Sequence, residues 1–428
     1  MSREMINSGI PWIGEIPKGW KTCQVKNIFT ISRGRVIPIT DMDASYQYPV
    51  YSSQTKDNGC MGYIPTFDYE GEALTWTTDG ANAGTVFYRN GKFNCTNICG
   101  ILQLKEKSSF INYMLYSVGH SAYNCRRADT NGYKIMSNEM AEILIAVPSL
   151  PEQQKIASFL DRKCDEIDEM IALQEKIVEE LKAYKQSVIT EAVTKGLNPD
   201  VPMKDSGIEW VDSIPLSWKV AKIKNVISLL TDYDANGSFA DIASNVKVNL
   251  GVPYAWMVRA TDLANQRYGL VDGNNYCDIS TFNYLKKSVV HSGDVLIAKR
   301  GEIGKVYLVP NVDCPMTLAP NTYLLKLRQR VIDNRYFHYF LTSEMGRMQL
   351  VLNNKSTAIG AIYKDDVKSI SILLPSLREQ QDIANHLDTK CTEIDNLISI
   401  KLSKIDSLKE YKKSIIYEYV TGKKKVTL

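Results

Sequence analysis

Apolar positions between residues 151 and 195 recur at alternating steps of three and four, which predicts one long amphipathic helix. After Pro151 the segment has neither Pro nor Gly and is rich in Glu, Lys, Ala, Leu and Gln, which favour a helix. At a rise of about 1.5 Å per residue, the helix would be about 60 Å long. Its seam is typical of a coiled-coil partner face and has two series with seven-residue spacing: Leu160, Ile167, Gln174, Leu181 and Val188, and Cys164, Ile171, Val178, Lys185 and Ala192.

The same helix pattern occurs a second time. Residues 377–421 align with the first copy at a constant offset of 227, without a gap. The polar interruptions recur, since Gln174 corresponds to Lys401 and Lys185 to Lys412, and such residues can fix the register of a coiled coil. We expect the two helices to pair with each other, with packing on separate partners as the alternative. The second seam comprises Leu387, Ile394, Lys401, Leu408 and Ile415, and Cys391, Ile398, Ile405, Lys412 and Tyr419.

Another repeat lies ahead of each long helix. Residues 8–27 match residues 206–225 at an offset of 198, including an Ile-Pro pair and the tryptophans Trp20 and Trp218. We expect these tryptophans to be buried where the chain enters each domain, with ligand stacking as the alternative. Between the matched ends the two middles differ in sequence, and the second is 29 residues longer.

Both middles contain short β-rich runs broken by turns, then a helix-like run and a closing strand that ends at Pro148 or Pro375. The sequence therefore predicts an α+β fold with a pseudo-twofold internal repeat, in which two long helices separate two β-rich domains. We expect the helices to form an antiparallel coiled coil, although the sequence also allows parallel packing. The predicted boundaries are 1–150 for the first domain, 151–195 for its helix, 196–205 for a linker, 206–375 for the second domain, and 376–428 for the second helix and a basic tail.

The composition is that of a soluble globular protein, with 44% hydrophobic and 23% charged residues in 428. No apolar run approaches the roughly 18 residues that span a bilayer, and the N-terminus lacks a signal-peptide core, so we expect a cytoplasmic protein without membrane contact. The nine cysteines suit a reducing compartment. Cys95 and Cys99 lack a second ligand pair nearby, so we predict no metal site.

The net charge of +3 is unevenly distributed along the chain. The two long helices carry −3 and −1, so the remainder carries +7, of which Lys423, Lys424 and Lys425 supply three. The modest basic excess that is left on the two domains permits contact with a polyanion.

Several motifs point to a known family. The chain reads IPKGWK from Ile16, GDVLIAKRGEIGK from Gly293, PSLPEQQKIASFLD from Pro148 and PSLREQQDIANHLD from Pro375. With both repeats included, it resembles the specificity subunit of type I restriction-modification systems over essentially its whole length.

The resemblance implies two target recognition domains, each reading one half of a bipartite site in double-stranded DNA. The helices would set the gap between the half-sites and dock two methyltransferase subunits and motor-nuclease subunits. Those partners would carry S-adenosylmethionine, ATP and Mg, so that this chain needs no cofactor and is not itself an enzyme. The assembled complex would methylate adenine and cut DNA with ATP hydrolysis.

The residues agree with a non-catalytic role. The segment Gly301–Lys305 has two residues between its glycines, where a P-loop has four. The sequence has neither an NPPY-type methyltransferase motif nor GxGxxG. Its four histidines stand without a nucleophile or metal ligand at a recognisable spacing. The dense carboxylates from Asp161 to Glu169 lie on a predicted helix among Arg162 and Lys163, as on a solvated coiled-coil flank.

Specific reading of DNA requires side chains that reach base edges, together with cations on phosphates. The alternative for each cation is a solvated surface charge. The glycine pairs Gly80 with Gly84 and Gly301 with Gly304 either allow close approach to a phosphate or simply form hairpins. The candidates are Arg33, Arg35, Thr78, Asn82, Arg89, Asn97, Arg126, Arg127 and Lys134 in the first domain, and Arg259, Lys299, Arg300, Lys305, Asn321, Lys355 and Lys364 in the second.

Equivalent residues also recur on the backs of the helices. These pairs would let two copies of one methyltransferase subunit dock, or they complete the coiled-coil packing. They are Tyr184 with Tyr411, Ser187 with Ser414 and Glu191 with Glu418.

Two other functions stay open at this point. One is an orphan or antirestriction mimic of a specificity subunit, which sequesters the partner subunits. The other is a coiled-coil spacer protein that does not bind DNA.

Overall fold

The computed structural model describes residues 3–106, 109–130, 132–300, 304–352 and 362–426. They form two compact units: unit 1 contains Met1–Lys176 and Lys401–Leu428, and unit 2 contains Ile177–Ile400. Each unit therefore holds one β-rich domain and a part of each long helix.

Unit 1 combines short strands and short helices with the first part of one long helix and the last part of the other. Its strands are β1 (Met5–Ile10), β2 (Gly14–Pro17), β3 (Lys21–Gln24), β4 (Phe29–Arg33), β5 (Tyr48–Tyr51), β6 (Cys60–Ile64), β7 (Tyr69–Glu70), β8 (Ala73–Thr77), β9 (Asp79–Gly80), β10 (Val86–Arg89), β11 (Lys92–Cys95), β12 (Cys99–Leu104), β13 (Arg127–Asp129), β14 (Gly132–Lys134) and β15 (Leu144–Val147). Its helices are α1 (Val25–Ile28), α2 (Ile111–Cys125), α3 (Ser137–Glu142) and the long α4 (Leu150–Lys195), with 3-10 turns at Ile39–Asp41 and Lys56–Gly59.

Unit 2 repeats this plan with additional short helices. Its strands are β16 (Met203–Ile208), β17 (Val211–Pro215), β18 (Lys219–Lys222), β19 (Ile227–Asp232), β20 (Ala255–Val258), β21 (Tyr276–Cys277), β22 (Val289–Val290), β23 (Val295–Ala298), β24 (Val306–Leu308), β25 (Met316–Leu318), β26 (Thr322–Leu327) and β27 (Ser371–Leu374). Its helices are α5 (Ile223–Val226), α6 (Phe239–Asn245), α7 (Ala260–Ala264), α8 (Ile279–Tyr284), α9 (Asn334–Thr342), α10 (Glu344–Leu352), α11 (Lys364–Ser369) and the long α12 (Leu377–Val420), with 3-10 turns at Tyr233–Asn236 and Lys286–Ser288.

The two domains share one topology although their middles do not match in sequence. The central sheet has the order β10-β8-β12-β4 in unit 1 and β24-β23-β26-β19 in unit 2. The second sheet has the order β6-β5-β11-β7 in one and β21-β20-β25-β22 in the other, and each contains one parallel pair. The α+β prediction is confirmed.

The matched ends of the repeat form equivalent anchors at the start of each long helix. Trp20 is 7% exposed and Trp218 is 0% exposed. Their indole Nε1 atoms donate to the carboxylates of Glu152 and Glu379, at 3.0 Å in both cases. The prediction that both tryptophans are buried anchors is therefore confirmed.

Both long helices have nearly the predicted bounds, and their seam residues are buried or half-buried. Leu160 and Leu387 are 0% exposed, whereas Leu173 on another face of α4 is 56% exposed. Glycines with a positive φ follow both helices, Gly196 at 78° and Gly422 at 72°, and this conformation favours a helix C-terminus.

Within each unit the helical segments run antiparallel. In unit 1, Lys412 Nζ lies 2.5 Å from the Asp168 carboxylate. Closer to the N-terminus of α4, the Tyr113 hydroxyl lies 2.8 Å from the Ala146 carbonyl oxygen and 3.2 Å from that of Val420. Later residues of α12 therefore lie beside earlier residues of α4, which excludes parallel packing in this unit.

Unit 2 contains the equivalent ion pair. Lys185 Nζ lies 2.7 Å from the Asp395 carboxylate, and the offset of 227 relates these residues to Lys412 and Asp168. Ile189 of α4 and Leu387 of α12 belong to the same buried cluster. The predicted antiparallel pairing is thus present in both units.

In the part of the chain that the structure describes, no helix is long and apolar enough to cross a membrane.

Candidate nucleic-acid interface

The central strands of each domain place several candidate residues at one edge of the sheet. In unit 1 the strand register aligns Arg33 with Gly100 and Trp76. The corresponding register in unit 2 aligns Asp232 with Tyr323 on β26 and, through it, with Ile297 on β23. Arg33 and Asp232 are therefore structurally equivalent, and we call this edge, together with the loops that follow β8 and β23, the strand-end edge.

In unit 1 the strand-end edge carries an exposed arginine. Arg33 Nε donates to the carbonyl oxygen of Asn97, at 2.6 Å, which brings two predicted residues together. Asn82 is also exposed, in the turn between Gly80 and Gly84. Neighbouring Arg35 is paired with Asp68 at 2.8 Å.

A hairpin beside this edge carries three further candidates. Strand β14 pairs with β9, next to the glycine turn. The Arg126 guanidinium lies 3.7 Å from the ring centre of Tyr123 and 4.0 Å from that of Tyr133. Arg127 pairs with Glu139 at 2.7 Å, and Lys134 has its own carboxylate partner, at 3.4 Å.

Two candidates in unit 1 are core residues, which corrects the prediction that they contact DNA. Thr78 is 0% exposed and Arg89 is 2% exposed. Arg89 Nε donates to Thr75 Oγ1 at 3.0 Å, and its guanidinium lies 3.5 Å from the centre of the Tyr51 ring. Burial lowers the pKa of this arginine. Arg89 follows the glycine turn in the sequence, but strand β10 directs its side chain into the core.

The strand-end edge of unit 2 is a compact network of charges. Lys299 Nζ lies 3.0 Å from Asp232 Oδ2 and 2.7 Å from Asp234. Lys364 Nζ lies 2.9 Å from Asp232 Oδ1. Both ammonium groups lie about 6 Å from the ring centre of Tyr323, at 5.6 and 6.0 Å.

Burial and pairing oppose each other in this network. Burial raises the pKa of Asp232, but hydrogen bonds from Lys364 and Lys299 outweigh it, so the pKa lies below its ordinary value. Burial lowers the pKa of Lys299, but hydrogen bonds to Asp234 and Asp232 raise it above the ordinary value. Asp232 is therefore a carboxylate, and Lys299 is a cation, at neutral pH.

The other candidates of unit 2 are dispersed. Arg259 follows a strand of the second sheet, and its guanidinium lies 2.6 Å from the fully buried Asp262. Arg300, Lys305 and Asn321 are exposed. Two predicted positions, Gly301 and Lys355, lie outside the described residues.

The structure divides the predicted cations by their partners. Arg33 is held by a backbone carbonyl and Arg126 by tyrosine rings. Among the described residues no carboxylate bonds directly to either guanidinium, so these two arginines are well placed to attract phosphate. The cations that pair directly with a carboxylate are Arg35, Arg127, Lys134, Arg259, Lys299 and Lys364.

Asp232, Asp234, Tyr123 and Tyr133 were missed by sequence reasoning. Asp232 meets its lysines across 67 and 132 residues of sequence, so no local motif reveals it. The tyrosines could have been found, because Tyr123 lies three residues before Arg126 at the end of a predicted helix.

The described residues offer no group of three or more His, Cys, Asp or Glu side chains that could hold a metal ion. Cys95 and Cys99 are buried, at 0% and 1% exposure. Burial lowers the pKa of His338 to about 4, so this side chain is neutral at pH 7.

Two domains of one topology, each joined to a long helix and each with polar groups at the same sheet edge, make this a two-module protein. Residues 17–183 and 215–410 match the family described as type I restriction modification DNA specificity domain. The chain belongs to this family. It is accordingly a DNA-specificity component of a type I restriction-modification system, and not a catalytic subunit.

Similar proteins agree with this assignment. A putative type I specificity subunit of Mycoplasma pneumoniae, S.MpnORF507P, is 27% identical over 86% of this chain and 88% of its own length. The putative type I restriction enzyme MjaX specificity subunit of Methanocaldococcus jannaschii is 25% identical over 97% of this chain and 96% of its own. A solved chain from a structural study of type I R-M complex assembly shares the fold, with a TM-score of 0.69 and 14% identity over 95% of this chain and 98% of that chain.

Proposed function

We propose that each domain of this chain reads one half of an asymmetric, bipartite site in double-stranded DNA. The observation that carries the proposal is a difference at equivalent positions of the strand-end edge: unit 1 presents the exposed Arg33, whereas unit 2 presents Lys299 and Lys364 above the buried Asp232. Lys299 follows β23, and the equivalent residue after β8 in unit 1 is the buried Thr78. Different side chains at equivalent places contact different base edges, so the two half-sites differ.

The long helices set the gap between the half-sites. Half-sites that are contacted from one face of B-DNA lie about 34 Å apart, which is within the length of a helix of about 45 residues at about 1.5 Å per residue. The antiparallel pairs Lys412–Asp168 and Lys185–Asp395 support a fixed register within each unit.

Two methyltransferase subunits dock on the exposed backs of the helices. Tyr184 and Tyr411, at equivalent positions, are 57% and 54% exposed. In unit 2 a groove of about 850 Å³ lies beside this surface and is lined by Ser187, Glu191 and Arg347 among others. The methyltransferase subunits bring S-adenosylmethionine, and motor-nuclease subunits bring ATP and Mg.

Methylome sequencing tests the proposal. The chain is expressed together with its methyltransferase subunits in cells without other adenine methylation, and methylated motifs are mapped. The expected result is one asymmetric motif with two defined parts and a fixed gap. A contiguous or palindromic motif contradicts the proposal, and the absence of methylation in an assembled complex favours an orphan or antirestriction mimic.

Binding to random-sequence duplex separates a DNA-binding protein from a spacer. A DNA-binding protein loses affinity steeply as salt rises, because phosphate contacts release counterions. A spacer protein does not bind the duplex at any salt concentration.

A further inference from the structure

We propose that Asp232 is a positioning residue for the second half-site, which holds Lys299 and Lys364 in a fixed arrangement toward DNA. The proposal rests on the function proposed above and assigns a role to a residue that does not itself contact the ligand. The ligand is double-stranded DNA, contacted at phosphate or base oxygens by the two lysines.

Asp232 joins three separate elements at the strand-end edge of unit 2. It is the last residue of β19, Lys299 follows β23, and Lys364 begins α11. The Asp232 side chain is 9% exposed, whereas those of the two lysines are 20% and 37% exposed. The carboxylate therefore lies beneath the two ammonium groups.

Both oxygen atoms of this carboxylate are occupied. Oδ2 accepts from Lys299 at 3.0 Å, and Oδ1 accepts from Lys364 at 2.9 Å. An oxygen that already accepts from an ammonium group beneath the surface is poorly placed to accept from a base. Asp232 consequently acts through the lysines.

With the partners that the described residues provide, the two lysines keep donors for DNA. Each ammonium group carries three N–H donors; Lys364 uses one on Asp232, and Lys299 uses two on Asp232 and Asp234. Asp234 is 67% exposed, so its pairing is open to competition from a phosphate. The lysine side chain is flexible and has little directional preference of its own. The buried carboxylate of Asp232 fixes the direction of the ammonium group.

The arrangement of one buried carboxylate beneath two lysines belongs to the second domain. The residue equivalent to Asp232 in unit 1 is Arg33, a cation that is held by the backbone at Asn97. Loss of Asp232 is therefore expected to affect one half-site, which makes the other half-site an internal control.

The test compares methylomes of the assembled methyltransferase with Asp232→Asn and with Asp294→Asn. Asp294 is a matched control because it is also buried, at 8% exposure, and precedes β23, at the end opposite Lys299. With Asp232→Asn we expect discrimination at the second half-site to fall about tenfold, as for the loss of one good base contact, while the first half-site stays unchanged. With Asp294→Asn we expect the wild-type motif.

The affinities for random-sequence and cognate duplex separate a positioning role from a general loss of structure. In Asp232→Asn both lysines are released from the carboxylate, so affinity for random-sequence duplex stays equal or rises while affinity for the cognate site falls. Unfolding of the domain would instead lower both affinities. Asp232→Glu keeps the charge and is expected to restore part of the discrimination.

Unchanged discrimination at the second half-site in Asp232→Asn would overturn the proposal, as would an equal loss in Asp294→Asn. Failure of the proposed function is a different result, because the wild-type complex would then show no bipartite motif.

Discussion

Lys412 on α12 and Asp168 on α4 form an ion pair at 2.5 Å, and the internal repeat reproduces it as Lys185 with Asp395 at 2.7 Å. Both lysines interrupt an apolar seam, and both aspartates lie beside the seam of the opposite helix. The side chain of Lys412 is 28% exposed and that of Lys185 is 29% exposed. A polar group in this position stabilises little, but it specifies which residues face each other.

Reversal of one charge tests this specification. Lys412→Glu places like charges together and is expected to lower the free energy of unfolding by about 1 kcal/mol, and the added Asp168→Lys should restore most of it. Denaturant unfolding measures both effects. The control pair Lys413 and Glu410 lies within one helix, at 2.7 Å. Lys413→Glu should therefore lower the free energy of unfolding by less than about 0.5 kcal/mol. Failure of the double variant to recover would argue against a register role.

Insertion of one heptad into α4 tests the helix as a spacer. Seven residues lengthen a helix by about 10 Å, which corresponds to about three base pairs at about 3.4 Å each. We expect the mapped gap to change while both half-site sequences stay the same. The control is a seven-residue insertion next to Asn198, in the connection after α4, which should leave the gap unaltered. A change in half-site sequence would contradict the spacer role.

Replacement of Trp218 tests the anchor between domain and helix. Trp218→Ala removes a fully buried indole and is expected to cost about 3 to 5 kcal/mol. Trp218→Phe keeps most of the packing but leaves Glu379 without its indole donor, which is expected to cost about 1 to 3 kcal/mol. Urea unfolding of the full chain measures both. Equal costs for Phe and Ala would show that the hydrogen bond to Glu379, and not the packing, determines stability.

Acid unfolding tests the charge network at Asp232. The pKa of this carboxylate is lower in the folded chain than its ordinary 3.8, so the folded state binds fewer protons than the unfolded state. The carboxylate thus stabilises the fold above the ordinary value, and this contribution is lost as pH falls through the folded pKa.

Between about pH 6 and about pH 3, the free energy of unfolding should therefore fall less in Asp232→Asn than in the unsubstituted chain. Urea titrations at both pH values measure the difference. The control is Asp406→Asn, which removes an exposed carboxylate of α12. If the free energy of unfolding falls equally in Asp232→Asn and in the unsubstituted chain, then Lys299 and Lys364 do not bind the Asp232 carboxylate in solution.

The seam, the repeats and the α+β class followed from the sequence because they depend on local periodicity. Leu160 and Leu387 are buried as the seven-residue spacing predicts. The common topology of the two middles could not be found in this way, because equivalent sheets are built from unmatched residues. Topology depends on which strands pair, and pairing joins residues that are far apart in sequence.

The candidate site was only partly predictable for the same reason. Arg33, Asn97 and Lys299 were selected as polar residues near turns, and the structure brings them to equivalent edges. Arg89 was selected on the same argument but lies in the core, because strand alternation decides the direction of a side chain and the short runs left that phase undetermined. Asp232 lay outside any motif.

Each recognition domain begins and ends on neighbouring strands. Strand β3 pairs with β15, and β18 pairs with β27, so that Lys21 lies opposite Val147 and Lys219 opposite Leu374. A gene segment that encodes everything between two such strands can be exchanged for one of another length without moving the start of the following helix. The two middles differ by 29 residues, so this closure accommodates a change of that size, and the repeated sequences at its two ends are borders at which recombination can exchange whole segments.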